Sequence, residues 1–392
     1  MSAFLASTVK ILGDLIEFDT TSRNTNLAMI DYIADHLSTL GIPSQKIYSD
    51  DQNKANLYAT IGPKVDGGIV LSGHTDVVPV DGQNWTTNPF ELTAKQNKLY
   101  GRGTADMKGF IACCLAMAKP MSQMDIKRPI HLAFSYDEEV GCIGVGRLIE
   151  LIASQNPTPA CVIVGEPTAM QIVNAHKGIC VMSTVIHGRE GHSSRPQQGA
   201  NAIEAAAALT TYIYELCEEL SKIERDERFE PPYTTFNAGV ISGGDAVNII
   251  ARECTLNWEF RPIPGADHTA ITARVNNWVE AKLLSKMRKV DPRCSIETIR
   301  DVLVPPFDQP NSVAEELARK VTGLNDAGAV AYVTEASLFS QANIPAVVIG
   351  PGNISQAHQP DEFVSPDQLA KCLSFLNQLV ELSVTKHSEN IN

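Results

Sequence analysis

The chain has 392 residues, 44% hydrophobic and 20% charged, with a formal net charge of −13. That length exceeds the roughly 250–300 residues at which single cores stop growing, so two domains are expected. The acidic balance argues against a phosphate-tracking nucleic-acid surface, and no apolar run approaches the roughly 20 residues of a membrane span.

Phe4, Leu5, Val9, Leu12, Leu15 and Ile16 recur at helical spacing, as do Leu27, Ile30, Ile33, Leu37 and Leu40, with Gly41 and Pro43 ending the second helix. Asp14 and Glu17 interrupt the first pattern and no basic segment precedes it, so it does not read as a secretory leader and a cytoplasmic protein is expected. Short continuous apolar runs follow at residues 69–72, 130–135, 161–164 and 346–349. Continuous runs suit parallel strands covered on both faces. Helical stretches at 107–119 and 144–153 lie between them, an α/β order with a mostly parallel central sheet and helices on both faces.

The middle of the chain differs. Residues 178–188 alternate like a half-exposed strand, 201–223 form an alanine-rich helix, 234–241 and 251–260 read as strands, and 268–284 as another helix. This is the order of a smaller α+β domain, assigned to 179–302 and inserted between the two parts of a larger domain, 1–178 and 303–392. The charged stretch 218–230 reads as a solvated helix end and loop. The polar tail after Val384 is expected to fray. Nine cysteines occur without a C-x-x-C pair. They read as buried, reduced thiols rather than as a disulfide frame or a thiolate zinc site.

Chemistry-bearing residues follow each of the four apolar runs. His74 and Asp76 follow the first, Asp137, Glu138 and Glu139 the second, Glu166 the third and His358 the fourth; Asp106 ends a glycine-bearing turn at 101–106. Taken singly, each has an ordinary structural explanation: a hydrogen-bonded His, a solvated Glu pair, a Glu turn or helix cap before Pro167, a loop His. In open α/β sheets, however, the carboxyl ends of the strands share one crevice. Converging carboxylates need protons or metal to balance them. Two His with several carboxylates suit zinc, cobalt or manganese, and one carboxylate can bridge a metal pair about 3.5–4 Å apart. Asp76, two residues after His74, is of the type that orients a metal-binding imidazole.

Four segments carry a resemblance: Ser72-Gly73-His74-Thr75-Asp76-Val77-Val78-Pro79, Gly101-Arg102-Gly103-Thr104-Ala105-Asp106-Met107-Lys108-Gly109, Asp137-Glu138-Glu139-Val140-Gly141 and Gly165-Glu166-Pro167-Thr168. In order and along essentially the whole chain, they resemble the co-catalytic zinc deacylase and peptidase family. The resemblance implies a di-zinc hydrolase, two Zn2+ per subunit with Co2+ as a substitute. His74 and Glu166 would bind one metal, Glu139 and His358 the other, and Asp106 would bridge. Asp76 would orient His74. Glu138 would be the general base, taking a proton from water and passing it to the leaving amine.

The inserted segment resembles the family's lid and dimerisation domain, which implies a homodimer. His192, within Gly191-His192-Ser193-Ser194-Arg195-Pro196, would stabilise an oxyanion in the partner subunit, and Asn248 and Arg261 would bind the substrate carboxylate. From the bare sequence His192 reads equally as a capping or loop residue. Gly191 departs from the family pattern, where alanine is usual, and only a small local effect is expected.

Residues 350–362 and 333–339 look most like the branch of the family that removes acetyl from N2-acetyl-L-ornithine, giving L-ornithine and acetate for arginine biosynthesis. Gly350 and Gly352 would let backbone N–H groups approach a carboxylate, and Glu335 or Glu362 would meet the ornithine ammonium. The alternatives are a succinyl-diaminopimelate desuccinylase or a broad aminoacylase. A binding protein that had lost the chemistry should lack the base or a ligand, and all are present.

Overall fold

The computed structural model describes residues 3–155 and 157–384; the tail expected to fray lies outside the described residues. The first stretch runs α1 (Ala3–Ile16), α2 (Leu27–Thr39), β1 (Ser44–Tyr48), β2 (Ala55–Ile61), β3 (Ile69–His74), β4 (Thr93–Lys95), β5 (Lys98–Tyr100), α3 (Lys108–Gln123), β6 (Ile130–Ser135), α4 (Gly146–Ala153), β7 (Cys161–Val164) and β8 (Val173–His176). The inserted stretch holds β9 (Ile179–His187), α5 (Ala202–Ile223), β10 (Thr235–Gly243), β11 (Glu253–Arg261), α6 (His268–Trp278), a π-helical turn at Val279–Leu284, α7 (Ser285–Met287) and β12 (Ser295–Val304). The chain ends through β13 (Phe307–Asp308), α8 (Val313–Thr322), β14 (Gly328–Val330), α9 (Ala336–Gln341), β15 (Ala346–Val348), β16 (Phe363–Val364) and α10 (Pro366–Val384).

Two compact units result. One holds the chain up to Ala175, Asp308–Gly328 and the chain from Thr334 on; the other holds His176–Phe307 and Ala329–Val333. The boundary expected at 302/303 cuts β12, which the structure continues to Val304. β12 carries no readable pattern: only Val304 is fully buried and charges interrupt the strand, so it lacks the alternation of a half-buried strand.

In the first unit the sheet order runs β1-β2-β6-β3-β7-β15 and continues to β8, which pairs antiparallel with β15. β6, β3, β7 and β15 run parallel, with β2 antiparallel to β6 and β1 antiparallel to β2. β3, β6, β7 and β15 are buried along their whole length, as continuous apolar runs require. Helices cover both faces. α1, α2, α3 and α10 pack together on one, with α3 against β3 and β2, while α4 and α9 pack together on the other, against β2, β7 and β15. α3 is buried almost all round, the state expected of a helix apolar on every face.

The second unit is a four-stranded antiparallel sheet, order β10-β11-β9-β12. β9 and β11 alternate between buried and part-exposed residues, so one face of the sheet is covered. α5 covers it with a stripe of Ala202, Ala205, Leu209, Ile213, Leu216 and Leu220. Asn201 starts that helix by accepting from the Ile203 and Glu204 amides, and Asp267 starts α6 in the same way. No disulfide forms: all nine cysteines are free, eight buried and Cys217 part-buried. Among the described residues, no helix is long and apolar enough to cross a membrane.

Candidate metal centre

Parallel strands deliver their carboxyl ends to one edge of the sheet. His74 is the last residue of β3. Glu138 and Glu139 follow β6 in a turn closed by Gly141 and Cys142 N–H groups donating to the Glu138 carbonyl, at 2.9 and 2.8 Å. Glu166 stands two residues beyond β7. Asp106 precedes α3, and its peptide bond to Met107 is cis.

These side chains converge. His74 Nδ1 lies 2.9 Å from the Asp76 carbonyl oxygen. A carbonyl only accepts, so Nδ1 carries the hydrogen and Nε2 is turned inward. There it lies 3.0 Å from Asp106 Oδ1 and 3.5 Å from Glu166 Oε1. His358 Nε2 lies 3.0 Å from Glu139 Oε2 and 3.5 Å from Asp106 Oδ2. Asp106 therefore turns one oxygen to each histidine. His74, Asp106 and Glu139 offer ligand atoms all within 4.8 Å of one another, and so do His74, Glu138 and Glu166.

Electrostatics mark the cluster as short of positive charge. Burial, helped by neighbouring carboxylates, pushes Glu166 and Glu138 well above the usual range and Glu139 up to about 7. Burial works against charge on His74, but Glu166 and the hydrogen bond to Asp106 outweigh it and hold its pKa well above the ordinary value. His358 is raised to about 10 by its hydrogen bonds to Asp106 and Glu139. Asp106 is buried too, yet the two histidines depress its pKa. Glu139 Oε1 and Glu166 Oε1 are buried without a hydrogen-bond partner. Orphaned carboxyl oxygens beside imidazole nitrogens fit divalent cations, and the donor set of nitrogen and carboxyl oxygen fits zinc.

The packing corrects several expected roles. The Asp76 carboxylate does not hold the His74 ring: the closest oxygen is 3.6 Å from Nδ1, and the backbone carbonyl takes the bond instead. The carboxylate accepts from Ser22 Oγ at 2.7 Å and from the Glu138 and Glu139 amides at 3.1 and 3.2 Å. It thus steadies the turn that carries both glutamates. Glu335 is 1% exposed and accepts from Ser135 Oγ at 2.5 Å and Ser72 Oγ at 3.3 Å. With both oxygens taken it braces the ends of β3 and β6 rather than offering a carboxylate to an ammonium. Glu362 is equally buried and fully bonded inside the protein. The Gly350 and Gly352 amides already donate to Thr168 Oγ1 and Gln368 Oε1. Gly350 is needed for closeness: a Cβ there would stand 1.9 Å from the Gly165 carbonyl oxygen.

His192, Asn248 and Arg261 belong to the second unit. His192 is exposed, and its Nδ1 receives the Ser194 amide at 3.1 Å and Oγ at 2.8 Å. Nδ1 accepts from the amide, so the hydrogen of the neutral ring sits on Nε2. Asn248 accepts the Ser193 amide on its carbonyl, and Arg261 Nε donates to Glu259 at 2.9 Å. At Gly191 a Cβ would meet Ile250 at an ordinary 3.4 Å, so alanine would fit there.

Sequence reasoning passed over Lys54, which pairs with Asp137 at 2.5 Å, and Cys142, whose thiol donates to Glu138 Oε1 at 3.5 Å. Neither lies in a pattern that predicts the contact.

A family model described as Peptidase family M20/M25/M40 matches residues 70–382. An acetylornithine deacetylase from Pasteurella multocida is 37% identical over 358 residues, covering 91% of each chain. One from Proteus mirabilis is 36% identical over 366 residues, covering 93% of this chain and 92% of its own. Among solved structures, a tripeptidase from Staphylococcus aureus superposes with a TM-score of 0.74 at 20% identity, covering 97% of this chain and 99% of its own. A dinuclear metal-binding peptidase of family M20 from Bacillus subtilis gives 0.68 at 16%, covering 98% and 99%.

Proposed function

The chain belongs to peptidase family M20/M25/M40, and from that premise we propose that it hydrolyses N2-acetyl-L-ornithine to L-ornithine and acetate, a metal-dependent amide hydrolysis that serves arginine biosynthesis. The substrate rests on likeness to acetylornithine deacetylases along more than nine-tenths of both chains. The chemistry rests on one observation: Asp106 turns one carboxylate oxygen toward His74 and the other toward His358.

In this reading His74 and Glu166 would hold one zinc ion and Glu139 and His358 the other, with Asp106 the carboxylate shared between them. Bound there, such ions would supply Lewis acidity and balance the charge of the carboxylates. Glu138 takes a proton from the attacking water and delivers it to the departing amine, which could not leave unprotonated. Burial raises the Glu138 pKa, the direction that strengthens the ionised carboxylate as a proton acceptor. His192 presents its Nε2 hydrogen to the developing oxyanion, and Asn248 and Arg261 take the substrate carboxylate.

The protein acts as a homodimer joined through the second unit, with His192 serving the partner copy. β10 supports this: it ends the sheet order, and Val240 and Ile241 on it are more than half exposed, at 56% and 52%. Free, buried thiols suit the reducing cytoplasm.

The test is turnover by chelator-stripped protein resupplied with zinc or cobalt, on N-acetylornithine, succinyl-diaminopimelate and N-acetylmethionine. Metal-restored turnover that favours acetylornithine is expected. Preference for another substrate discards the specificity, and no turnover with metal bound discards the reaction. Inactive His192→Ala and Glu138→Ala proteins should regain partial activity when mixed and allowed to exchange subunits; no recovery argues against a histidine acting across the dimer.

A further inference from the structure

Two of the candidate ligands, Asp106 and His358, sit on loops far apart in sequence, and a buried network ties those loops together. Glu362 and Arg102 are each 1% exposed. Glu362 Oε2 accepts from Arg102 Nη1 at 2.7 Å and from the Gly103 amide at 3.0 Å. Its Oε1 accepts from the amides of Ala105 and of Asp106 itself, at 2.9 and 3.1 Å. The Gly101 amide donates to the Glu362 carbonyl at 3.0 Å. One carboxylate is thus wrapped by the turn that ends in Asp106.

The same guanidinium reaches the other loop. Arg102 Nη2 donates to Gln83 Oε1 at 2.6 Å, and Nη1 lies 3.3 Å from the Gln359 carbonyl oxygen. Trp85 Nε1 also donates to Gln83 Oε1, at 3.0 Å, and the guanidinium lies 5.0 Å over the Trp85 ring. Two donors on one atom identify it as the amide oxygen, so the amide nitrogen points the other way. It donates to the His358 carbonyl at 2.9 Å. His358 and Asp361 both have left-handed backbones, φ 62° and 56°, which a side-chain-bearing residue adopts only when its surroundings hold it there. Gln83 holds the first; the Thr86 amide, donating to Asp361 Oδ1 at 2.8 Å, holds the second.

We propose that Gln83, Arg102 and Glu362 form a positioning clamp that sets the distance between Asp106 and His358, and thereby the affinity of one metal position out of two. The proposal rests on the metal reading given above. It is selective because the other ligands are held by different means. His74 is oriented by the Asp76 carbonyl and Glu166 by the close approach of Gly350 to the Gly165–Glu166 backbone. Among the candidate ligands, Gln83 bonds directly to His358.

The test uses the full-length protein stripped with chelator and titrated with Co2+, followed by visible absorption and calorimetry. Wild type should take up two equivalents. Gln83→Ala should weaken one equivalent by about tenfold, the usual size of a lost outer-shell contact, and leave the other unchanged. Gln83→Glu still accepts from Arg102 and Trp85 but loses the donor to His358, and should show the same selective loss. Gln83 is only part-buried, so both variants should fold, and unaltered melting of the metal-free proteins checks it. Two unchanged equivalents in both variants, or equal weakening of both, overturn the clamp while leaving the metal centre standing. Failure of wild type to bind any cobalt overturns the metal reading and the clamp with it.

Discussion

Glu138 and Glu139 are chain neighbours that face different partners. Glu138 Oε1 receives the Cys142 thiol, whereas Glu139 Oε2 faces His358. Their substitution by glutamine should therefore separate two functions. Glu138→Gln is expected to lower kcat by roughly 10²–10⁴ while metal uptake stays complete, because a proton carrier is lost. Glu139→Gln should reduce metal uptake as well; equal metal contents in the two variants would undo the distinction. A different single residue contributes to acid sensitivity. Burial drops His131 to about 4, and its Nδ1 lies 2.8 Å from Tyr58 Oη and 2.9 Å from Thr60 Oγ1. An unfolded histidine takes its proton near pH 6.5, so between about 6.5 and 4 the unfolded chain binds more protons than the folded one. Stability should fall as pH drops through that window and level off below it, by at most about 3 kcal/mol from this group. Urea unfolding of wild type and His131→Phe at pH 7 and pH 4.5 checks it: the variant should lose less stability on acidification, and an identical loss would show that His131 is not responsible.

At the scale of elements, two glycines give opposite expectations for the same change. Gly350→Ala puts a methyl 1.9 Å from a backbone oxygen, so the strand-end loops carrying Glu166 must part. A cost of about 1–3 kcal/mol or more is expected, with weaker metal binding. Gly191→Ala meets only ordinary contact and should leave stability and activity near wild type; matching losses in both variants would contradict this. The elements also explain what could be read from the residues. β3, β6 and β7 announce themselves because burial on both faces demands unbroken apolar runs, and their ligands follow immediately in sequence. β1 lies largely open and β12 is broken by Glu297, Arg300 and Asp301, so neither carries a pattern to read. The contacts that hold the ligands were out of reach for a different reason. Gln83 meets His358 across 275 residues and Ser135 meets Glu335 across 200, and no local period encodes such pairs. Position and charge offer Glu335, Glu362, Gly350 and Gly352 as substrate contacts, but which way each faces is decided by packing.

For the whole molecule, cations and folding should be linked. A cluster of buried carboxylates with orphaned oxygens is a burden that bound divalent ions relieve, and any ligand selective for the folded state stabilises by mass action. At a hundredfold excess over its dissociation constant each ion should add about 2.7 kcal/mol. Chelator should thus lower Tm, zinc or cobalt should restore it, and an unchanged Tm would mean the ions bind folded and unfolded chains alike. The free cysteines extend this to the course of unfolding. Cys113, Cys114, Cys142, Cys161 and Cys372 lie in the first unit, and Cys180, Cys217, Cys254 and Cys294 in the second. A thiol sealed from solvent reacts with an alkylating agent only when its surroundings open, so these side chains are clocks already installed in both halves. Brief labelling read by peptide mass would time each half separately, with part-buried Cys217 marking the start, and would show whether chelation loosens the metal-bearing half before its neighbour.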